Sequence, residues 1–132
     1  MKIDREKIYD KFGGRCGYCG TIIDIKNMQV DHIISQRNFD FHIKNRHFHT
    51  PSFLKHLKEW DVHHFDNLMP SCRKCNNYKS SMSLETFKEE IKKQIERLEA
   101  SVNFWLAKRF WLVKETGAEV IFYFEKLQKL YE

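Results

Sequence analysis

The stretch Asn67-Leu68-Met69-Pro70-Ser71-Cys72-Arg73-Lys74-Cys75-Asn76-Asn77-Tyr78-Lys79 puts two thiols three positions apart, asparagines on both sides of them, and three cations into thirteen residues. The C-x-x-C spacing lets two thiolates grip one tetrahedral zinc, but such a pair supplies only half of the four ligands. The other half has to come from elsewhere in the chain. One other C-x-x-C exists, Cys16-Gly-Tyr-Cys19, and 52 residues separate Cys19 from Cys72. Simple zinc ribbons separate their two pairs by only about 15–20 residues, so a plain ribbon does not account for this arrangement.

At 132 residues the chain is long enough to bury a core, and eleven Phe, five Tyr and three Trp provide the aromatic mass for one. No apolar run approaches the roughly 18 residues of a membrane span. The opening Met1-Lys-Ile-Asp-Arg-Glu-Lys7 is too charged for a signal peptide. A cytosolic protein with no membrane partner is therefore expected, and in a reducing compartment two C-x-x-C pairs are better explained by metal than by disulfides. The net charge of +5 is unevenly placed. Residues 84–132 carry nine Lys/Arg and nine Asp/Glu, which leaves fourteen against nine, the whole excess, in residues 1–83. That distribution fits a polyanion-binding first part and a neutral packing tail.

Asp4 is placed to cap a short helix, with Ile3 and Ile8 closing a hydrophobic staple and Gly13-Gly14 ending it. The helix delivers the chain to Cys16, and glycines at 17 and 20 relax the backbone where a knuckle must turn its amides toward sulfur. From Thr21 to Ile34 the β-branched composition predicts a β-hairpin with its turn at Lys26-Asn27 and its second strand ending at Asp31-His32.

Cys16-x-x-Cys19, Val30-Asp31-His32-Ile33-Ile34, Asp66-Asn67-Leu68 and Cys72-x-x-Cys75-Asn76-x-x-Lys79, in that order, resemble the HNH nucleases, the ββα-metal or His-Me finger group. The resemblance spans residues 14–80 and implies an α+β fold. Residues 1–82 would form a ββα-metal core stapled by zinc and preceded by its N-terminal helix, with a long insertion at about 35–65. Residues 83–132 would form an extension, a helix plus a short β segment, packed on that core. It further implies one structural zinc on Cys16, Cys19, Cys72 and Cys75, closed to chemistry, and DNA as the partner. A catalytic Mg²⁺ or Mn²⁺ would take oxygen from Asp31 and Asn76. His32 would be the general base and Asn67 the residue orienting the loop that carries it. Lys79, with Arg73 and Lys74, would meet the DNA backbone. Asn76 stands where the family often has His, and it is the weaker ligand.

Between Ser35 and Phe65 the sequence departs from the compact family pattern. This insertion holds six of the seven histidines and is expected to contain a helix at Ser52–Glu59. Two readings stand: an aromatic, partly cationic wall of a DNA groove, or a cover for the core. A second metal site among these histidines finds no matching carboxylate or Cys partner in sequence, His47 and His49 coming closest. After Lys79, Ser83 reads as the N-cap of a helix with Leu84, Phe87, Ile91, Ile95 and Leu98 on one stripe, facing its own core or a second copy in a homodimer. The run Val120–Phe124 favours a strand, one arm of a hairpin with Phe110–Val113, and a helix is the competing reading. A non-catalytic, zinc-stapled DNA-binding module is the alternative to a nuclease.

Overall fold

The computed structural model describes residues 3–45 and 47–130. Among these the architecture is α+β, with seven helices and one two-stranded antiparallel sheet. In chain order they are α1 (Arg5–Asp10), β1 (Gln29–His32), α2 (Phe39–Lys44), β2 (Leu68–Ser71), α3 (Arg73–Lys79), α4 (Leu84–Lys92), α5 (Gln94–Leu98), α6 (Val102–Arg109) and α7 (Tyr123–Leu130). Single 3-10 turns at Ser52–Leu54 and Phe65–Asn67 punctuate the insertion. No helix among the described residues is long and apolar enough to cross a membrane.

The sheet pairs Gln29 with Ser71, Val30 with Pro70, Asp31 with Met69 and His32 with Leu68. This corrects the expected hairpin. The residues meant for its first strand form only an isolated bridge, Ile22 to Arg15. The true partner of β1 lies nearly 40 residues downstream, beyond the insertion. Proline within β2 is tolerated because the Pro70 carbonyl turns outward, accepting from the Gly17 amide at 2.8 Å. Pro70 thus sits opposite Val30 where no ladder bond is asked of its missing N–H. That outward bond also docks the first cysteine knuckle on the free edge of the sheet.

α1 is capped as expected, the Asp4 carboxylate accepting from the Lys7 amide, and buries Ile8. Ile8, Met28, Ile33, Ile34, Phe39, Leu54, Leu57, Leu68 and Met69 form the core around the sheet. α4 starts at Ser83, whose hydroxyl accepts from the Thr86 amide, and it enters the same core through Phe87. The Phe87 ring meets Tyr18 edge-on at 5.5 Å and stacks on Phe122 at 5.5 Å.

Three further expectations are corrected. The helix expected at Ser52–Glu59 is the single 3-10 turn Ser52–Leu54. The long helix after Ser83 breaks at Lys93 into α4 and α5. No strand forms at Val120–Phe124: the Tyr123 and Phe124 amides donate to the carbonyls of Tyr18 and Gly17, both at 2.9 Å, and α7 begins there instead. Its intended partner, Phe110–Val113, is exposed rather than paired, with Trp111 83% exposed.

Candidate metal centre and adjoining histidine site

The knuckle at Cys16–Gly20 is closed by the Gly20 amide donating to the Cys16 carbonyl, with Gly20 at φ +79°, a conformation glycine adopts without strain. The second pair lies across β2 from it. Cys72 caps α3, its sulfur accepting from the Cys75 amide. The sheet and the Gly17–Pro70 bond bring the two pairs together, and all four Sγ atoms lie within 4.8 Å of one another. Cys19 and Cys72 are 3.8 Å apart. A tetrahedron with Zn–S arms of about 2.3 Å has edges of about 3.8 Å, whereas a disulfide needs about 2.05 Å. The four thiols are free and could hold one structural metal ion such as zinc.

Their electrostatics agree with that chemistry. The hydrogen bond between Cys16 and Cys75 pulls the Cys16 thiol down to about 4 and pushes Cys75 up. Cys16 is wholly buried, and its thiol is the one the neighbouring sulfur pushes toward the thiolate that a metal requires. A cation among the sulfurs would displace the thiol protons, since thiolates are the ligating form.

β1 leads from this centre to a second cluster of polar side chains. Asp31 is buried, and its Oδ2 accepts from the Tyr18 hydroxyl at 2.5 Å and from the Lys79 ammonium at 3.0 Å. Lys79 is wholly buried and also donates to the His32 carbonyl at 3.1 Å. This corrects the expectation that Lys79 reaches a DNA backbone: the last turn of α3 faces the sheet, where the Asp31 charge captures the cation. Burial raises the Asp31 carboxyl, and Lys79 only partly offsets it. The Tyr18 phenol is pushed far up, by burial first and then by the Asp31 charge.

His32 points elsewhere from the same strand. It is half-buried, and its Nε2 lies 2.9 Å from Nδ1 of His63 in the insertion. Burial, with smaller contributions from His63 and Lys79, lowers the His32 imidazole to about 4. Asn67 is wholly buried behind this pair. Its Oδ1 accepts from the Ile34 amide at 2.9 Å, and its Nδ2 donates to the carbonyls of Ile34 and Val62 at 3.1 and 2.9 Å. It therefore ties the backbone just after His32 to the backbone just before His63. Asn76 is half-exposed, one helical turn before Lys79 and so on the same side of α3. Arg73 and Lys74 are exposed on the first turn of α3, beside the cysteines.

His63 and Tyr18 were not singled out from sequence. Tyr18 lies between two cysteines, and its spacing carries no signal of the Asp31 partner that the fold gives it. His63 is one of six histidines in an insertion with no periodic pattern, and only the fold selects it. Comparison with protein-family models, with curated proteins and with solved structures returned no match.

Proposed function

We propose that this protein is a metal-dependent DNA endonuclease of the HNH type. The observation that carries this reading is the antiparallel β1–β2 pair running into α3, gathered by four cysteines, with His32 at the strand end pinned through Asn67. Water attacks phosphorus, the new P–O bond forms as the bond to the 3′ oxygen breaks, and the leaving 3′ oxygen takes a proton from solvent, so that 5′-phosphate and 3′-hydroxyl ends result. His32 takes the proton of the attacking water. In the tautomer that donates Nε2–H to His63 Nδ1, the lone pair of His32 stands on Nδ1, and that atom is the proposed base. The contact with His63 holds the ring angle of His32, and Asn67 holds both histidine-bearing segments in register.

Asp31, through Oδ1, and the Asn76 amide oxygen are the donors that suit a hard cation such as Mg²⁺ or Mn²⁺. When bound, the cation supplies charge stabilisation at phosphorus and at the leaving oxygen. DNA would be held by the excess positive charge of residues 1–83, Arg73 and Lys74 included. A cleft of about 720 Å³ on the insertion, lined by Lys44, Lys55, Lys58 and Trp60 among others, adds a cationic and aromatic wall.

One observation favours the alternative of a non-catalytic DNA-binding module: Lys79 already neutralises Asp31, which leaves less charge for a divalent ion. Purified protein incubated with supercoiled plasmid and Mg²⁺ or Mn²⁺ separates the two. The nuclease reading expects nicking by wild type and none by His32→Ala at equal zinc content. Nicking by His32→Ala at the wild-type rate refutes the role of His32, and a mobility shift without any nick supports the module.

A further inference from the structure

We infer that His56, His64 and Asp66 form a second divalent-metal site, of the zinc class, on the surface of the insertion. The inference does not rest on the nuclease reading. His56 Nε2 lies 2.8 Å from Asp66 Oδ2, His64 Nδ1 lies 3.8 Å from the same oxygen, and the three ligand atoms fall within 4.8 Å of one another. Arms of about 2.0–2.1 Å to nitrogen and oxygen give a tetrahedron with edges of about 3.3 Å, a value these separations bracket. Two imidazoles and one carboxylate select a borderline cation over Mg²⁺ or Ca²⁺, and three protein ligands leave a fourth position for water.

The backbone builds this cluster from residues that sequence spacing does not pair. The Asp61 amide donates to the Lys58 carbonyl, the His64 amide to the Asp61 carbonyl and the Asn67 amide to the His64 carbonyl, so successive turns fold residue 56 against 64–66. The carboxylate missing from the histidine pattern is supplied by Asp66, in the 3-10 turn Phe65–Asn67. The three side chains are 40–53% exposed, so a cation need not be stripped of all its water. Two features weaken the site. The His64 Nδ1 lone pair now accepts from the Asp66 amide at 3.0 Å, a bond that ligation would displace. The Lys11 ammonium repels a cation at Asp66 but is itself held by the carbonyls of Phe65 and Leu68. A metal here would lock the turn that carries His63 on one side and Asn67 on the other.

The test is zinc stoichiometry of the full chain after equilibration in buffered zinc and gel filtration, for wild type and for the His56→Ala, His64→Ala double variant. His56 is exposed, His64 is partly exposed, and neither belongs to the hydrophobic core, so the variant keeps that core. Two zinc ions per wild-type chain and one per variant chain are expected, with the cobalt–thiolate absorption of the four-cysteine centre unchanged in the variant. One ion in wild type, two in the variant, or loss of the thiolate bands in the variant would overturn the inference.

Discussion

At the scale of single residues, the largest departure from expectation is Lys79. A lysine at the end of a short helix next to two exposed cations reads as a phosphate contact, yet its ammonium is the counter-ion of a buried aspartate. Removing one partner of a buried ion pair strands the other charge and costs about 3–5 kcal/mol. Lys79→Met is therefore expected to lower the unfolding free energy, measured by urea titration, by that order. A variant with wild-type stability but weakened DNA binding would return Lys79 to the surface. His32 makes a prediction in pH. Its folded value is about 4 against 6.5 for the ordinary imidazole. Between those values the unfolded chain binds a proton that the folded chain refuses, so stability is lost as pH falls through this window. Above pH 6.5 the penalty is absent. Protonation of the cysteine centre adds its own acid sensitivity, so the check is the difference in unfolding free energy between wild type and His32→Gln. That difference should change between pH 6.5 and 4 and stay flat above.

Among the elements, those legible from local chemistry form as expected. Asp4 and Ser83 cap their helices through side-chain oxygen, and both cysteine pairs sit on the turns their spacing demands. The strand partner of β1 was not legible, because β2 contains a proline and is separated from β1 by a 35-residue connection. A β-branched run such as Thr21–Ile25 is a better local candidate. It loses because the knuckle takes its backbone elsewhere, the Cys16 amide donating to the Thr21 carbonyl and the Ile23 amide to the Gly14 carbonyl. The C-terminal aromatic run takes the competing helical form for a related reason: the Tyr123 and Phe124 amides are satisfied on the knuckle, and Phe122 and Phe124 are buried without a second strand. The knuckle is thus a packing element as much as a source of ligands. A Cβ at Gly17 would fall 2.0 Å from the Met69 sulfur and 3.1 Å from the Phe12 ring, and Met69 is buried on all sides. Gly17→Ala is expected to lower thermal stability by the equivalent of about 1–3 kcal/mol, typical of overpacking. A midpoint equal to wild type would mean that the knuckle does not press on β2 as described.

For the molecule as a whole, four thiols from two distant segments join the parts that carry every residue of the proposed site. Structural zinc binding is worth about 10–16 kcal/mol, as much as the entire stability of an ordinary domain at about 5–15 kcal/mol. Stripping the metal with a strong chelator should accordingly unfold the core around the sheet. Retention of a cooperative thermal transition at the original midpoint would show the clamp to be dispensable. If the proposed nuclease is to cut both strands at once, two copies acting together would be needed, and the exposed run from Trp105 to Val113 is one apolar surface outside the core.

The clamp is tested most directly by titrating Co²⁺ into the metal-free full chain and recording its absorption. Intense sulfur-to-cobalt charge-transfer bands with tetrahedral d–d transitions should saturate at one equivalent and be lost in the Cys72→Ser variant. Bands that need two chains per ion, or that survive Cys72→Ser unchanged, would contradict a single centre built from Cys16, Cys19, Cys72 and Cys75.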